Sequence, residues 1–301
     1  MELFLQQFLN GLTIGMMYAL IALGYTMVYG VIGLINFAHG EIFMSGAYLA
    51  FTAIALCGIF LPGSPFWVGL IFIFLFSMLG CSILGASVEK IAYQPLRGSP
   101  KLAALITSIG VSFFLQNAVM LIYGSKEQSV AEVIPPKMLS VGDITISLMQ
   151  IIIFAVSISL MICLSFFIKH SKAGKALRAC AENPEAAGLV GIPVGHAISA
   201  TFVLGSMLAS VAGSLFGMYY GSISFHDGYL AGLKAFTAAV LGGIGSIPGA
   251  MLGGIVLGLV EGFGAGYISS GWKDVFAFIL LGVILVFRPS GLLGENLPEK
   301  V

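Results

Sequence analysis

The sequence predicts an all-α fold, a polytopic transmembrane helical bundle with eight clear spans and one short or broken segment. Three observations support this. The 301 residues are 58% hydrophobic and only 9% charged, with a mean hydropathy of +1.05; an ordinary soluble domain is about 25% charged. Apolar runs recur at roughly the 20-residue length that crosses a hydrocarbon core. Of the 13 Lys and Arg residues, seven sit in two loops, Lys90, Arg97 and Lys101 in one and Lys169, Lys172, Lys175 and Arg178 in the other.

The expected spans follow in order. Phe8–Ile32 comes first. It lacks the basic start and the small-x-small site of a secretory signal, so it reads as a retained span. Glu41–Phe60, Phe66–Val88, Leu102–Tyr123 and Ser147–Ile168 come next, then Ala197–Tyr220, Ile247–Gly266 and Val275–Phe287. Gly232–Gly245 is apolar but too short for an ordinary crossing. The positive-inside rule makes both basic loops cytoplasmic. The loop at 124–146 carries Lys126 and Lys137 against Glu127, Glu132 and Asp143, and belongs outside. Alternation then puts the N-terminus outside. A tail with Arg288 and Lys300 favours an inside C-terminus, which requires Gly232–Gly245 to count as a crossing or half-crossing. "LGGIGSIPGAMLGG" (241–254) is then a break between two helix pieces. Gly11 with Gly15, and Gly254 with Gly258, have small-xxx-small spacing that lets helix backbones approach closely. Tight packing within one bundle is the preferred reading over a dimerisation face.

Several function classes are disfavoured. The four cysteines, Cys57, Cys81, Cys163 and Cys180, stand singly without metal or disulfide spacing and read as small buried hydrophobes. No G-x-x-x-x-G-K-[ST] phosphate loop is present. An intramembrane enzyme needs a paired constellation, and the spans hold only Glu41 and Glu261 as clear carboxylates, expected at opposite membrane sides. An ion-coupled carrier usually has titratable groups along its path, and this chain is poor in them.

Two segments carry chemistry. In the inner loop at about 169–196, Asn183 is placed to cap a helix, Pro184 suits its first position and Glu185 complements its positive end. Ala186, Ala187, Gly188, Leu189 and Val190 extend it by two turns, and Gly191 and Pro193 end it. Such a short helix with small residues suits a groove on a partner. The second segment is "INFAHGEIF" (35–43), which sets Asn36, His39 and Glu41 between apolar runs, with Gly33 and Gly40 flanking a helix break. Ionisable groups at membrane depth usually face a bundle interior and mark function. Broken helices there present half-helix ends to a cavity. A structural hinge and a direct gate or substrate contact are both open for this cluster, which topology places toward the cytoplasmic half of a path. Thr237 is a further candidate for that path. Lys234 is expected near the outer surface with a snorkelling stem, Glu261 as an interfacial carboxylate, and Lys273–Asp274 as a neighbouring charge pair. His226 and Asp227 are expected in an outer loop, and His170 and His196 in solvent. Met16, Met17, Tyr18, Tyr25, Met44 and Tyr48 read as packing residues.

Four separated stretches resemble one family. "GYTMVYGVIGLINFAHGEIFMSGAY" (24–48), "RACAENPEAAGLVGI" (178–192), "KAFTAAVLGGIGSIPGAMLGG" (234–254, after Leu233 where the family pattern has Met) and "RPSGLLG" (288–294) are similar to the LivH-type permeases of branched-chain amino acid ABC importers. The likeness spans essentially the whole chain in the same order. It implies the type II ABC importer permease fold in the bacterial inner membrane, with a single permease domain over 1–301. It implies four kinds of contact: a LivM-like second permease in a heterodimer, two cytoplasmic ATPase subunits, a periplasmic substrate-binding protein and the lipid bilayer. No cofactor is expected in this chain, since ATP is bound by the partner subunits. The match at Asn183, Pro184, Glu185, Ala186, Ala187, Gly188, Leu189 and Gly191 implies that this segment is the coupling helix. Urea and short-chain amide permeases share the N-x-A-H-G-E pattern and are the alternative substrate class. A stand-alone secondary transporter is the weaker rival.

Overall fold

The computed structural model describes residues 2–141 and 144–294. Asp143 and Lys300, used above to orient the loops and tail, lie outside them. Eight helices are long and apolar enough to cross a membrane. In chain order the helices are α1 (Glu2–Ile32), α2 (His39–Phe60), α3 (Phe66–Val88), α4 (Lys101–Tyr123), α5 (Leu148–His170), α6 (Lys172–Glu182), α7 (Pro184–Leu189), α8 (Val194–Tyr220), α9 (Asp227–Gly242), α10 (Ile247–Tyr267) and α11 (Lys273–Phe287). A π turn over Glu89–Tyr93 and a 3-10 turn over Gln94–Leu96 prolong α3. Short strands modify the all-helical expectation. β1 (Gln128–Ser129) pairs antiparallel with β4 (Ser222–Ile223), and β2 (Met138–Val141) with β3 (Ile144–Ser147).

The core sits on α1, whose middle is buried on all sides. It runs antiparallel to α10 through the small-residue spacings noted in the sequence. A methyl group added at Gly11 would lie 2.8 Å from the Gly258 carbonyl, and one at Gly15 would lie 2.9 Å from the Ile255 Cα. The two glycine pairs therefore pack against each other within the chain. Dispersion between closely apposed backbones replaces the hydrophobic force that lipid cannot supply. The packing residues Met16, Met17, Tyr18, Tyr25, Met44 and Tyr48 are all buried, in protein rather than against lipid. Cys81 and Cys180 are buried as expected, whereas Cys57 is only partly buried and Cys163 is exposed on α5.

The short segment is α9, 16 residues and so about 24 Å long, less than a hydrocarbon core. It starts inside the bundle, earlier than the expected Gly232. It ends at a turn where Gly243 and Gly245 adopt positive φ, close to Gly30 of α1. α9 thus returns the chain to the end of the bundle that carries the basic loops. There the "RPSGLLG" segment caps it: the Leu292 and Leu293 N–H groups donate to the Leu241 and Gly242 carbonyls at 2.8 and 2.9 Å. These are orphan acceptors of a helix C-terminus, which must be satisfied inside a membrane protein.

Three charges differ from expectation. Lys234 is only 5% exposed and Glu261 2%, rather than interfacial. Lys234 Nζ donates to Glu261 Oε1 at 2.8 Å, and Tyr18 donates to Glu261 Oε2 at 2.9 Å. Asp274 pairs with Lys234 instead of its neighbour Lys273. The cause is the inset start of α9, which leaves Lys234 against the carboxylates of Glu261 on α10 and Asp274 on α11. Glu89, not singled out in the sequence, is also buried, and it pairs with Arg97 and accepts from Ser199 at 2.8 Å.

Two outcomes are expected. Gly258→Leu should lower the apparent melting temperature of the solubilised protein by forcing α1 and α10 apart, at a cost of about 1–3 kcal/mol or more. Gly282→Leu, which meets nothing within 4 Å, should leave it unchanged. Lys234→Met should cost about 3–5 kcal/mol by stranding Glu261, and adding Glu261→Gln should recover most of that loss in the same thermal assay.

Candidate functional site

α1 ends at Gly33, whose φ of +67° only glycine adopts readily. The chain then turns back into the bundle without helical structure, and α2 starts at His39. Its first residues lie level with the middles of three other helices. Glu41 meets Ser112, the central residue of α4. The Ile42 carbonyl accepts from Cys81 Sγ at 3.5 Å, and Cys81 is central to the span Phe66–Leu96. The His39 ring lies against Gly205, near the centre of α8. The break therefore lies inside the bundle, level with the centres of α4 and α8, while along α1 it faces Gly24 in the last third of that helix. The sequence signal followed the end of α1, but the six residues 33–38 carry the chain back inward before α2 begins.

Each polar residue of "INFAHGEIF" is buried, Glu41 to 1% exposure. Asn36 shapes the turn, its Oδ1 accepting from the Ala38 N–H at 3.1 Å and from Tyr93 Oη at 2.8 Å. His39 is wedged between Gly24 of α1 and Gly205 of α8, with Tyr25 edge-on at 4.7 Å between ring centroids. Any side chain at Gly24 would strike the imidazole. Glu41 Oε1 accepts from Ser112 Oγ at 3.1 Å. Three atoms here have no partner among the described residues: Asn36 Nδ2, His39 Nε2 and Glu41 Oε2. Buried polar atoms left unpaired cost free energy, so their clustering within six residues marks the place where the fold departs from best stability.

The start of α9 meets the start of α2 here. A methyl at Gly40 would lie 2.7 Å from the Gly232 Cα, and one at Gly228 would abut Glu41 Oε2. Two half-helix N-termini thus meet in backbone contact inside the bundle, an arrangement that transporters use around ligand sites. Gly40 is required by this approach, not by its φ. Thr237 is not brought to the cluster. It lies further along α9, where its hydroxyl donates to the Leu233 carbonyl of its own helix at 2.9 Å. Tyr25, Tyr93 and Ser112 complete the site and were not singled out for it, because each reads as an ordinary residue of an apolar span.

The second candidate segment forms as its sequence signals require. Ser171 Oγ caps α6, accepting from the Gly174 N–H at 2.8 Å. Asn183 Oδ1 caps α7, accepting from the Ala186 N–H at 3.0 Å, with Pro184 at the first helical position. Gly191 ends it at φ +85°. Ala187 is buried against the bundle, whereas Leu189 is 89% and Val190 77% exposed at the tip. Cys180 anchors α6 underneath, and its burial pushes the thiol up, away from a reactive thiolate. His226 immediately precedes α9 without a side-chain capping bond, and its Nδ1 lies 3.0 Å from Gln116 Nε2. The Asp227 carboxylate accepts from the Ser224 N–H at 2.7 Å. His170 and His196 are exposed, as expected.

Residues 7–285 match the family described as branched-chain amino acid transport system / permease component. The chain is 52% identical over 303 residues to the high-affinity branched-chain amino acid transport system permease protein BraD of Pseudomonas aeruginosa, covering 99% of this chain and 98% of that protein. It is 46% identical over 306 residues to the permease protein LivH of Escherichia coli, with the same coverage. A shorter likeness, 28% over 134 residues, reaches the fructose import permease protein FrcC of Rhizobium meliloti, covering 42% of this chain and 36% of that one. By the extent of the family match and the near-complete overlap with two named permeases, the chain belongs to the family of branched-chain amino acid transport permease components.

Proposed function

We propose that this chain is a membrane permease subunit of an ATP-driven importer of leucine, isoleucine and valine. The observation that carries this reading is full-length similarity, at 46% and 52% identity, to permeases named for high-affinity branched-chain amino acid transport. The urea and amide alternative is not favoured, since neither relative is named for such a substrate.

In this reading the N-terminus is periplasmic and the C-terminus cytoplasmic, because the basic loops mark the cytoplasmic face. The remaining parts are a LivM-like permease, two ATPase subunits and a periplasmic binding protein. α7 is the coupling helix. Its exposed Leu189 and Val190 fill a groove on an ATPase subunit, and Asn183, Pro184, Glu185, Ala186, Gly188 and Gly191 set its shape. Ala187 acts from below, as the contact that seats α7 on the bundle. α7 leads directly into α8 through Ile192 and Pro193. α8 holds Gly205 against His39, so movement at α7 reaches the α2 break through one rigid helix. Asn36, His39, Gly40 and Glu41 form the gate. Their unpartnered polar atoms find partners in a second arrangement of the α2 and α9 ends, which gives the bundle two states of similar free energy. Thr237, bonded within α9, is left out of that gate.

Leucine uptake by proteoliposomes holding all subunits and the loaded binding protein tests the substrate, and uptake of urea in preference to leucine would refute it. Leu189→Asp combined with Glu185→Lys should leave ATP hydrolysis running while uptake falls at least tenfold; uptake at the wild-type rate would remove the coupling role. Ala187 is unsuitable for this test, because its burial makes any large substitution a folding defect. Glu41→Gln should reduce maximal uptake at normal assembly, and unchanged uptake would reduce Glu41 to a turn former.

A further inference from the structure

Between α1, α4 and α9 lies an open cavity of about 170 Å³, walled by Tyr25, Phe37, Ile109, Phe113, Tyr229 and Leu233. It is smaller than a typical drug-sized site, but its walls have the usual character of ligand sites, apolar and aromatic with few polar groups. Ser112 lines it too, and the same hydroxyl holds Glu41 Oε1. A carboxylate therefore stands directly behind one wall. Gly232 forms another part of the lining, and Gly228, one turn earlier on α9, faces Glu41 Oε2. With no side chains at either glycine, the backbone of the α9 start packs directly over that buried oxygen and stands between it and the cavity.

The charge pattern says what the cavity lacks. Glu89 holds Arg97 and Glu261 holds Lys234. Glu41, as deeply buried, has no Lys, Arg or His within salt-bridge distance among the described residues, and its Oε2 has no hydrogen-bond donor. Buried carboxylates are normally paired with a cation. A ligand ammonium would supply this one. The cavity is also open. Phe113 is 57% and Tyr229 54% exposed at its mouth, and the exposed Gln116–His226 hydrogen bond lies beside it.

We propose that this cavity is a transient site for an aliphatic α-amino acid, in which the wall of Phe37, Ile109, Phe113 and Tyr229 takes the side chain and Glu41 takes the ammonium group once the α9 start moves off its Oε2. The proposal rests on the transport reading above and adds a place in this chain where the substrate class is sensed. Neither half of the ligand suffices alone. Burying each methylene is worth roughly fourfold in affinity, and a charge-assisted hydrogen bond to the carboxylate roughly tenfold to a hundredfold. The site is a passage point, because one free carboxylate oxygen and an open mouth hold a ligand only loosely.

The test uses the complete importer in lipid nanodiscs with Phe113→Trp as reporter and the wild type as blank. Millimolar leucine should shift the emission of the new tryptophan, and adding Glu41→Gln should weaken the midpoint roughly tenfold to a hundredfold. Glycine, which has the ammonium without the side chain, and 4-methylpentanoate, which has the side chain without the ammonium, should each act only at much higher concentration. Equal midpoints with and without Glu41→Gln, equal response to 4-methylpentanoate and leucine, or no shift with leucine would each overturn the proposal. Tyr229→Ala, on the exposed wall, gives a second arm read by uptake: leucine transport should fall several-fold relative to alanine, and equal falls would count against the site. Leucine uptake by the wild type in the same preparation separates the two readings. If the wild type imports leucine and these arms fail, only the site is lost; if it imports none, the transport reading is lost as well.

Discussion

The backbone contact between α1 and α10 is the constraint on which the rest of the bundle depends. Gly11, Gly15, Gly254, Gly258 and Gly262 remove every side chain that would separate the two helices. Because they touch, Glu261 of α10 reaches Tyr18 of α1. Because Glu261 is held there, it can receive Lys234 and fix α9 at its unusual depth. The position of α9 then sets where Gly228 and Gly232 meet Gly40. The polar cluster inside the bundle is thus the last link of a chain that begins at a glycine seam with no polar chemistry of its own.

Two helices that start inside the bundle would each be too costly in lipid alone. Backbone N–H groups at a helix start have no partner in their own helix, and hydrocarbon offers none. Here α2 and α9 begin against one another, enclosed by α1, α4 and α8. The enclosing shell permits the departure from regular helix, and its energetic margin is spent on three unpartnered polar atoms. At the other end of α9 the same problem is solved fully by the Leu292 and Leu293 N–H groups. One end is satisfied and stable. The other is left short of partners, and that contrast distinguishes an anchor from a place able to move.

Much of the architecture was legible in the sequence. Long apolar runs mark spans directly, because length and hydropathy are what the membrane selects, and the expected ends at Ile32, Phe60, Val88, Tyr123 and Tyr220 coincide with observed ones. The capping of α7 was equally legible, since Asn183, Pro184 and Gly191 act on neighbours in sequence. Depth was not. The level of Glu41 depends on how far residues 33–38 turn back, and no local pattern encodes that. Lys234 and Glu261 were misplaced for a related reason: their partnership joins α9 to α10 across the bundle, and each taken alone has the pattern of a surface charge. Ser112 and Tyr93 belong to the site only through packing, so their own segments show nothing unusual. Glu89 was passed over because it sits among loop charges, although the π turn keeps it within the protein.

The buried Lys234 also bears on how the chain reaches its membrane. On its own, α9 is a poor candidate for insertion: 16 residues, too short to span, with a lysine near the middle that costs about 2.5–3.5 kcal/mol to place at a bilayer centre. Its counter-charges, Glu261 and Asp274, are synthesised later, on α10 and α11. The last three helices therefore form one unit of biogenesis. A nascent chain that stops after α9 has no stable place for that segment, and the settled state waits until the two acids have followed the lysine into the bilayer.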